Sequence, residues 1–299
     1  MKLVKFDFIK NSRYTILLSL ALLLAGAFSI IVKGGLELGI DFAGGQNLRV
    51  KVDSSVPIDA QSLRALFTGT DINPGITNIG EKEDKEFFVY FGSEANASEK
   101  VKAVFNEKIP KYEILSESFV GPKIGQEFRK IAIQATLLIL ILILVYIGFR
   151  FELKFGIAAI LALLHDVLIS IGFISLLGYK FDIPLLAAIM TIIGYSLNDT
   201  IVIFDRIREE SKNLHLDRHE YLLVVNKSIA KSLNRTFLTS FTTLIALGTL
   251  IVFGGIELEP MSIILFLGII VGTYSSNFIA SPILVLWEKF FHKPQKKKA

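Results

Sequence analysis

The chain has 299 residues, of which 52% are hydrophobic, and its formal net charge is +4. The absence of cysteine excludes disulfides, thiolate metal sites and a catalytic thiol. The sequence has no basic stripe interleaved with aromatic residues, so nucleic-acid binding is not predicted. The mean hydropathy is +0.55, and the apolar residues form runs of about twenty, the length that a helix needs to cross the bilayer. We therefore predict an integral membrane protein.

The first predicted element is a membrane-spanning helix over 14–32, which follows a short N-terminal segment, 1–13. Its flanking basic residues, apolar run and Ala25-Gly26-Ala27 also resemble a cleavable secretion signal. The apolar run continues to Val32, which is long enough to span a bilayer. We predict a retained transmembrane helix, and cleavage is the alternative.

Residues 33–130 are more polar and have the periodicities of a small folded domain. Alternating apolar segments predict strands, and apolar residues three or four apart predict helices. The turn signal Asn73-Pro74-Gly75 follows the first of these helices. The predicted order is βαββαβ, the split-βαβ or ferredoxin-like arrangement, with elements at 44–52, 57–67, 76–80, 86–92, 97–109 and 112–120.

The rest of the chain completes the predicted fold class, a polytopic α-helical membrane protein with six transmembrane helices and an extracytoplasmic α+β domain between the first and second. The loop 205–235 has apolar residues at helical spacing among charges of both signs, which favours an interfacial helix. Such a helix fits a solvated connector as well as a docking surface. Residues 288–299 form a basic tail, and the remaining spans are predicted over 131–149, 155–177, 183–204, 236–254 and 262–287.

Basic residues in the short flanks of the spans predict the orientation, because such residues concentrate on the cytoplasmic side. They occur in the N-terminal segment, in the turn 150–154, in the loop 205–235 and in the tail. The opposite turns contain one lysine, Lys180, or only acids. Both termini are therefore predicted to be cytoplasmic, and residues 33–130 extracytoplasmic.

Asp199 is an acid within an apolar span, where a central Asp costs about 2.5 to 3.5 kcal/mol on insertion scales. Thr191, Tyr195 and Asp199 share a helical face, with Asn198 beside them, so we predict that these polar groups point into a helix bundle. A functional site is the default hypothesis for such an acid. A neutral Asp that only joins helices by hydrogen bonds is the alternative.

A second intramembrane acid, Asp166, follows His165 in the third span. Adjacent helical side chains point about 100° apart, so the two need not touch. We interpret His165 as an interhelical hydrogen-bond donor rather than a metal ligand. The spacing of His215 and His219 is only weakly metal-like, because the pair lacks the glutamate of an HExxH element, and no metal site is predicted.

Arg235, at the start of the fifth span, is a candidate counter-charge for Asp199. Its alternative role is to reach the interface and support the topology. Hydroxyl residues continue inward after it and could bond across helices: Thr236, Thr239, Ser240, Thr242 and Thr243. In the last span, four-residue spacing of small residues predicts close helix packing at Gly268, Gly272, Ser276 and Ala280.

Five motifs together resemble the SecF-type members of the SecD/SecF protein-export family, within the resistance-nodulation-division superfamily. In chain order they are LGIDFAGG, SFVGPKIGQEF, LLHDV, GYSLNDTIVIFDRIRE and SLNRTFLTSFTTL. The resemblance covers the whole chain in the family's order. It implies that Asp199 of the LNDT motif is a protonatable carboxylate and that Arg235 of the LNRT motif is its basic partner.

The same resemblance implies roles for the remaining motif residues. Asp41, Gly44 and Gly45 match a glycine motif of the family, which we interpret as structural. Other intramembrane polar residues are predicted to support the proton-coupling pair: Asp166, His165, Tyr195, Asn198, Thr239 and Thr243.

The implied function is that of a subunit of the Sec preprotein translocation machinery, which uses the proton-motive force to promote late steps of export across the cytoplasmic (inner) membrane. Because superfamily members pair two six-helix halves, the resemblance implies the homologous SecD as the other half. Further expected partners are the SecYEG translocon, emerging preproteins, the lipid bilayer and, as an optional component, YajC. No cofactor is expected beyond the proton gradient, and no nucleic acid.

Two other classes remain open from the residues alone. Asp166 and Asp199 lie in adjacent spans and could form the carboxylate dyad of an intramembrane protease, although neither is in a Gly-x-Gly-Asp element. A passive scaffold, in which buried polar groups only specify packing, is the second. We predict that the chain is not an enzyme.

Overall fold

The computed structural model describes residues 6–79, 85–94, 96–212 and 218–291. Within them, six helical segments are long and apolar enough to cross a membrane, which together with a four-stranded sheet confirms the predicted fold class. The elements are α1 (Phe8–Val32), α2 (Ile40–Ala43), β1 (Gly45–Val52), α3 (Ala60–Ala65), β2 (Gly75–Ile79), β3 (Glu86–Phe91), α4 (Ala97–Lys108), β4 (Tyr112–Val120), α5 (Pro122–Arg150), α6 (Leu153–Leu177), α7 (Ile183–Ser211), α8 (Arg218–Phe253), α9 (Glu259–Ser275), a π-helical turn (Ser276–Ala280) and α10 (Ser281–Phe291).

One of the two compact units is the α/β unit, which comprises residues 38–135 and 180–183. Its sheet is antiparallel with strand order β2-β3-β1-β4, and the element order is the predicted βαββαβ, compatible with the ferredoxin-like arrangement. Alternate residues of β1 and β3 face α3 and α4 because side chains alternate along a strand. The core contains Leu48, Val50, Leu63, Phe87, Val89, Val101 and Phe105.

The helical unit comprises the described residues before 38, from 136 to 179 and after 183. Half of the residues in the apolar windows of α6, α7 and α9 to α10 are buried, whereas the windows of α1, α5 and α8 are mostly exposed. A hydrophobic cluster at one end joins α6, α7 and the first turns of α8 through Phe155, Phe204, Tyr221, Val225 and Ile229.

The loop predicted over 205–235 differs in the structure. Helix α7 continues to Ser211, and α8 begins at Arg218 and runs without a break to Phe253. The predicted amphipathic segment is therefore the first part of a spanning helix rather than a separate one. No glycine or proline interrupts 218–235, so the helix continues from the polar segment into the apolar one.

The spanning helices also extend beyond their apolar segments. Helix α1 begins at Phe8, where Asp7 Oδ1 accepts the N–H of Lys10 at 3.0 Å. Helix α5 begins at Pro122, because proline has no N–H to satisfy and its fixed φ suits a first turn. The last predicted span is divided by the π-helical turn at Ser276–Ala280. Hydropathy indicates the extent of the apolar segment of a helix, but not the residues at which the helix begins and ends.

Candidate functional site

Helix α7 carries the candidate polar residues on two sides. One side faces α8 and contains Tyr195 and Asp199. The other side contains Ser196 and Thr200, which contact α6 and the segment around Ser276. This division follows from the 100° rotation between successive residues of a helix. Two different polar clusters can therefore form on a single spanning helix.

Asp199 is buried, with 7% of its surface exposed. The hydroxyl of Thr236 donates a hydrogen bond of 2.5 Å to Asp199 Oδ1. Oδ2 is also buried and has no hydrogen-bond partner among the described residues. A carboxylate oxygen in this situation lacks the hydrogen bonds that normally compensate for burial. Asp199 is thus only half satisfied, and its partner is the residue after Arg235.

A line of hydroxyl groups continues from Asp199 along the interface of α7 and α8. The hydroxyl of Tyr195 lies 3.5 Å from Ser240 Oγ and 3.4 Å from Thr243 Oγ1, to which it can donate. Ser240 is in turn hydrogen-bonded to Thr273 of α9 at 2.7 Å. These contacts join Tyr195 and Thr243, two of the predicted supporting residues. Ser240 and Thr273 are additional members that are visible only in the structure.

Arg235 is exposed and forms no ion pair with Asp199 in the described part of the chain. The Thr239 hydroxyl donates to the backbone carbonyls of Arg235 and Thr236. The sequence left open whether Asp199 and Arg235 pair directly, and in the structure the hydrogen-bond partner of Asp199 is Thr236, which the sequence marks only as one hydroxyl among several.

Thr191 and Asn198 do not pack inside the helical unit of this chain, so the prediction that they point into a helix bundle stays a prediction. Both residues are exposed, and the Thr191 hydroxyl donates to its own helix at Ala187 O. Helix α7 packs on its neighbours along only part of its circumference, and these two residues lie outside that part. Four-residue spacing predicts that residues lie on the same face of a helix, but it does not predict which neighbouring helix that face packs against.

Asp166 is fully buried and accepts three polar contacts. Ser196 donates to Asp166 Oδ2 at 2.5 Å and Ser275 donates to the same oxygen at 2.8 Å. His165 Nδ1 lies 2.8 Å from Asp166 Oδ1. The adjacent side chains therefore do touch, and the interpretation of His165 as an interhelical donor is wrong, because its hydrogen bond is to its own neighbour on α6.

The small residues of α9 face α7 in register. A Cβ atom added to Gly268 would lie 2.2 Å from Ile192 Cδ1, and one added to Gly272 would lie 2.9 Å from Ser196 Cβ. One turn further, Ser276 is hydrogen-bonded to Thr200 at 2.9 Å. The four-residue spacing on each helix thus allows a close approach, and it brings Ser275 to Asp166.

The glycine motif lies in the α/β unit, at the start of β1. Gly44 and Gly45 have φ values of +75° and +135°, and side chains at these positions would collide with Pro122 and with the carbonyl of Phe91. Asp41 Oδ2 accepts the N–H of Ile183 at 3.0 Å. Asp41 therefore satisfies a donor at the first residue of α7, which is a capping role that the sequence did not indicate.

Two alternative chemistries were considered for these residues, a metal site and a carboxylate dyad. No group of three metal-ligating residues occurs in the described ranges, and His215 lies outside them. Within the same ranges, no hydrogen bond joins Asp166 to Asp199, since the two carboxylates bond different partners on different sides of α7. A dyad that shares a proton would need them in contact.

These features define a polytopic membrane protein that has a small α+β unit and buried carboxylates held between helices by hydroxyl groups. Family models place it further: residues 100–290 match the C-terminal model of protein export membrane protein SecD/SecF, and residues 28–56 match the SecD/SecF GG motif. The chain belongs to the SecD/SecF family of protein export membrane proteins, which confirms the resemblance of its motifs.

Individual relatives agree with this assignment. The chain is 38% identical to protein translocase subunit SecF of Desulfurispirillum indicum, covering 97% of this chain and 94% of the relative. It is 39% identical to SecF of Calditerrivibrio nitroreducens, with 94% and 93% covered. The crystal structure of Thermus thermophilus SecDF, a translocon-associated membrane protein, matches with a TM-score of 0.85 and 37% identity, covering 96% of this chain but 39% of SecDF.

Proposed function

We propose that the chain is a subunit of the Sec preprotein translocation machinery that uses the proton-motive force, together with SecD, to promote late steps of export. The observation that carries this proposal is the buried carboxylate of Asp199, which has one oxygen bonded to Thr236 and the other without a partner in the described residues. Membership of the SecD/SecF family supports the transport role.

The physical basis is a balance between two forms of Asp199. Burial disfavours the charged form, whereas the nearby guanidinium of Arg235 and the hydroxyl of Thr236 favour it. Two forms of comparable free energy can be exchanged by a modest driving force. A proton that crosses 100 mV supplies about 2.3 kcal/mol, enough to change a two-state equilibrium roughly fifty-fold.

Protonation of Asp199 would change the contacts of α7. The neutral acid gains a donor at its unsatisfied oxygen and loses its attraction to Arg235, so the α7–α8 interface can rearrange. We propose that this movement reaches the extracytoplasmic domain and helps to draw out or release the preprotein.

The partners and the location follow from the same proposal. This chain spans 39% of the Thermus SecDF chain, which supports SecD as the missing half. The SecYEG translocon, emerging preproteins and, as an optional component, YajC complete the assembly. The basic flanks support cytoplasmic termini in the inner membrane. The proton gradient serves as the energy source, without a cofactor and without enzymatic activity.

The test is Asp199→Asn in vesicles that contain the chain, SecD and SecYEG. We expect the gradient-dependent part of preprotein translocation to be lost while the complex assembles normally, because the amide cannot exchange a proton. Asp205→Asn is the matched control, since Asp205 is on the same helix but forms exposed ion pairs with Arg150 and Arg208. Unchanged gradient dependence in Asp199→Asn would reject the proposal.

A further inference from the structure

The cluster around Asp166 is not used by the proposed function. Asp166 is 0% exposed and lies in α6, in the interior of the helical unit. Its three contacts come from three elements: His165 from α6, Ser196 from α7 and Ser275 from α9. Both carboxylate oxygens are therefore bonded, in contrast to Asp199, of which one oxygen has no described partner.

Both oxygens of Asp166 lie where they can accept hydrogen bonds. Hydroxyl groups of Ser196 and Ser275 both donate to Oδ2, and an ionised carboxylate can only accept. With Asp166 as the acceptor at Oδ1, the proton of a neutral His165 is at Nδ1, which is the tautomer that we assign to the imidazole. In this tautomer the second nitrogen, Nε2, has a free lone pair.

Nε2 of His165 is the unexplained atom of the cluster. It is buried and has no hydrogen-bond partner among the described residues, and its side chain is 10% exposed. Burying a nitrogen without a partner normally costs free energy. The ring of Tyr274 packs edge-on against the imidazole at 6.0 Å between centroids, but the Tyr274 hydroxyl is bonded to Ser19.

The surroundings contain few ionisable groups. Helix α9 presents Tyr274, and α7 carries Tyr195 and Asp199 near Ser196. Between residues 15 and 32, α1 has no ionisable side chain and contributes the Ser19 hydroxyl. The π-helical turn has none either, and the other charges of α6, α7, α9 and α10 lie near helix ends. Asp166 is thus the acid in contact with His165.

We propose that the His165–Asp166 pair is a second proton-binding site, separate from Asp199. One proton adds to the lone pair of Nε2, Nδ1 keeps its hydrogen bond to Asp166, and the product is an imidazolium–carboxylate ion pair. No other bond is formed or broken. The negative charge of Asp166 is already held by two hydroxyl groups, so it is available to stabilise the added positive charge.

The position of this site gives it a role beside the first. Ser196, which binds Asp166, and Asp199 are three residues apart on α7 and bond different partners, so both sites contact the same helix. A proton at either site would change the contacts of α7. This role in transport rests on the proposed function, whereas proton binding by His165 does not.

The test follows the titration of His165 directly. The chain has four histidines, and replacing His215, His219 and His292 with glutamine leaves His165 alone. The variant is labelled with ¹⁵N-histidine, assembled with SecD in vesicles and followed by solid-state NMR between about pH 5 and pH 9, where histidines titrate. We expect conversion from a neutral, Nδ1-protonated imidazole to the imidazolium. A single unchanged form over this range would overturn the proposal.

Two further variants separate this site from Asp199. On the same background, Asp166→Asn should change the titration of His165, and Asp199→Asn should leave the conversion in place. Ser170→Ala is the matched control, because Ser170 is equally buried but its hydroxyl donates to the backbone carbonyl of Asp166. Loss of the titration in Asp199→Asn would show that the sites are not separate. Titration that persists while Asp199→Asn leaves transport unchanged would reject only the proposed function.

Discussion

At the residue scale, the two buried acids of the helical unit differ in how completely their oxygens are bonded. Asp166 has partners on both oxygens, whereas Asp199 has only Thr236. One buried oxygen of Asp199 lacks a compensating hydrogen bond among the described residues, and the described donor to the other oxygen is the Thr236 hydroxyl. Thr236 therefore determines how well the charged form is held.

Removal of the Thr236 hydroxyl tests this view. Thr236→Val keeps the side-chain shape but removes a hydrogen bond to a charged group, which contributes about 1.5 to 3 kcal/mol. We expect gradient-dependent translocation to fall about tenfold or more, measured in vesicles with SecD and SecYEG.

Thr242→Val is the control for this change. Its hydroxyl donates only to carbonyls of its own helix, at Leu238 and Thr239. Equal rates for the two valine variants would show that the hydroxyl at Thr236 has no special role.

Glu86 is a second residue-scale case, in the α/β unit. It accepts hydrogen bonds from Arg49 at 2.9 Å and from Lys51 at 3.2 Å. Burial raises the pKa of this carboxyl, but the bonds and charges of Arg49 and Lys51 together hold the pKa below its usual range. The ionised form therefore stabilises the unit above the ordinary glutamate pKa of about 4.3, and this stabilisation is lost as the pH falls through the lower folded-state pKa.

The expected result is a pH-dependent stability that requires Glu86. Between about pH 5 and pH 3 the unit should lose less stability in Glu86→Gln than in the parent. Hydrogen exchange of the β1 and β3 amides in the full chain, corrected for intrinsic rates, measures this. Glu113→Gln, on exposed β4, should behave like the parent. An identical pH response in the parent and Glu86→Gln would contradict the assignment.

At the element scale, α7 and α9 are held together by small residues in register. The absence of a side chain at Gly272 allows Ser196 and Ser275 to reach Asp166 from their two helices. In lipid, apolar side chains gain little free energy from leaving the lipid to pack against one another, because the lipid tails are equally apolar. Helix association therefore depends on small residues that let the backbones approach closely. Packing and polar contacts at this interface are therefore linked.

A methyl group at Gly272 tests that link. In Gly272→Ala the new Cβ would lie 2.9 Å from Ser196 Cβ, so the helices must separate, and overpacking of this kind costs about 1 to 3 kcal/mol. We expect a lower midpoint of thermal unfolding in detergent. Gly248→Ala on α8 has no atom within 4 Å of the new Cβ and should be neutral or slightly stabilising. A midpoint unchanged in Gly272→Ala would refute the close contact.

The elements that could be predicted from the sequence are those with a strong local pattern. Strand β4 at Tyr112–Val120 and helix α4 match their predicted ranges closely, because alternation and helical spacing are local properties. The ends of the spans were less predictable, since Pro122 and Asp7 start helices well before the apolar segments. The partners of Asp199 and His165 could not be predicted, because they depend on how the helices rotate against one another.

At the scale of the whole molecule, the chain corresponds to one part of a larger assembly. It covers 94% of the SecF relative from Desulfurispirillum indicum but 39% of Thermus SecDF. Exposed polar residues in the spans, such as Asn198 and Arg235, are costly against lipid and are better placed against another protein. The fused Thermus SecDF supports SecD as the neighbour of this chain, so measurements on function belong to the complex.

The most direct measurement is proton movement through that complex. Vesicles that contain the chain, SecD and SecYEG are given a proton gradient, and its decay is followed with a pH-sensitive dye with and without a translocating preprotein. The account predicts that preprotein accelerates the decay in the parent and in Asp205→Asn, and that this acceleration is absent in Asp199→Asn. Equal acceleration in Asp199→Asn would contradict the central claim that Asp199 binds the coupled proton.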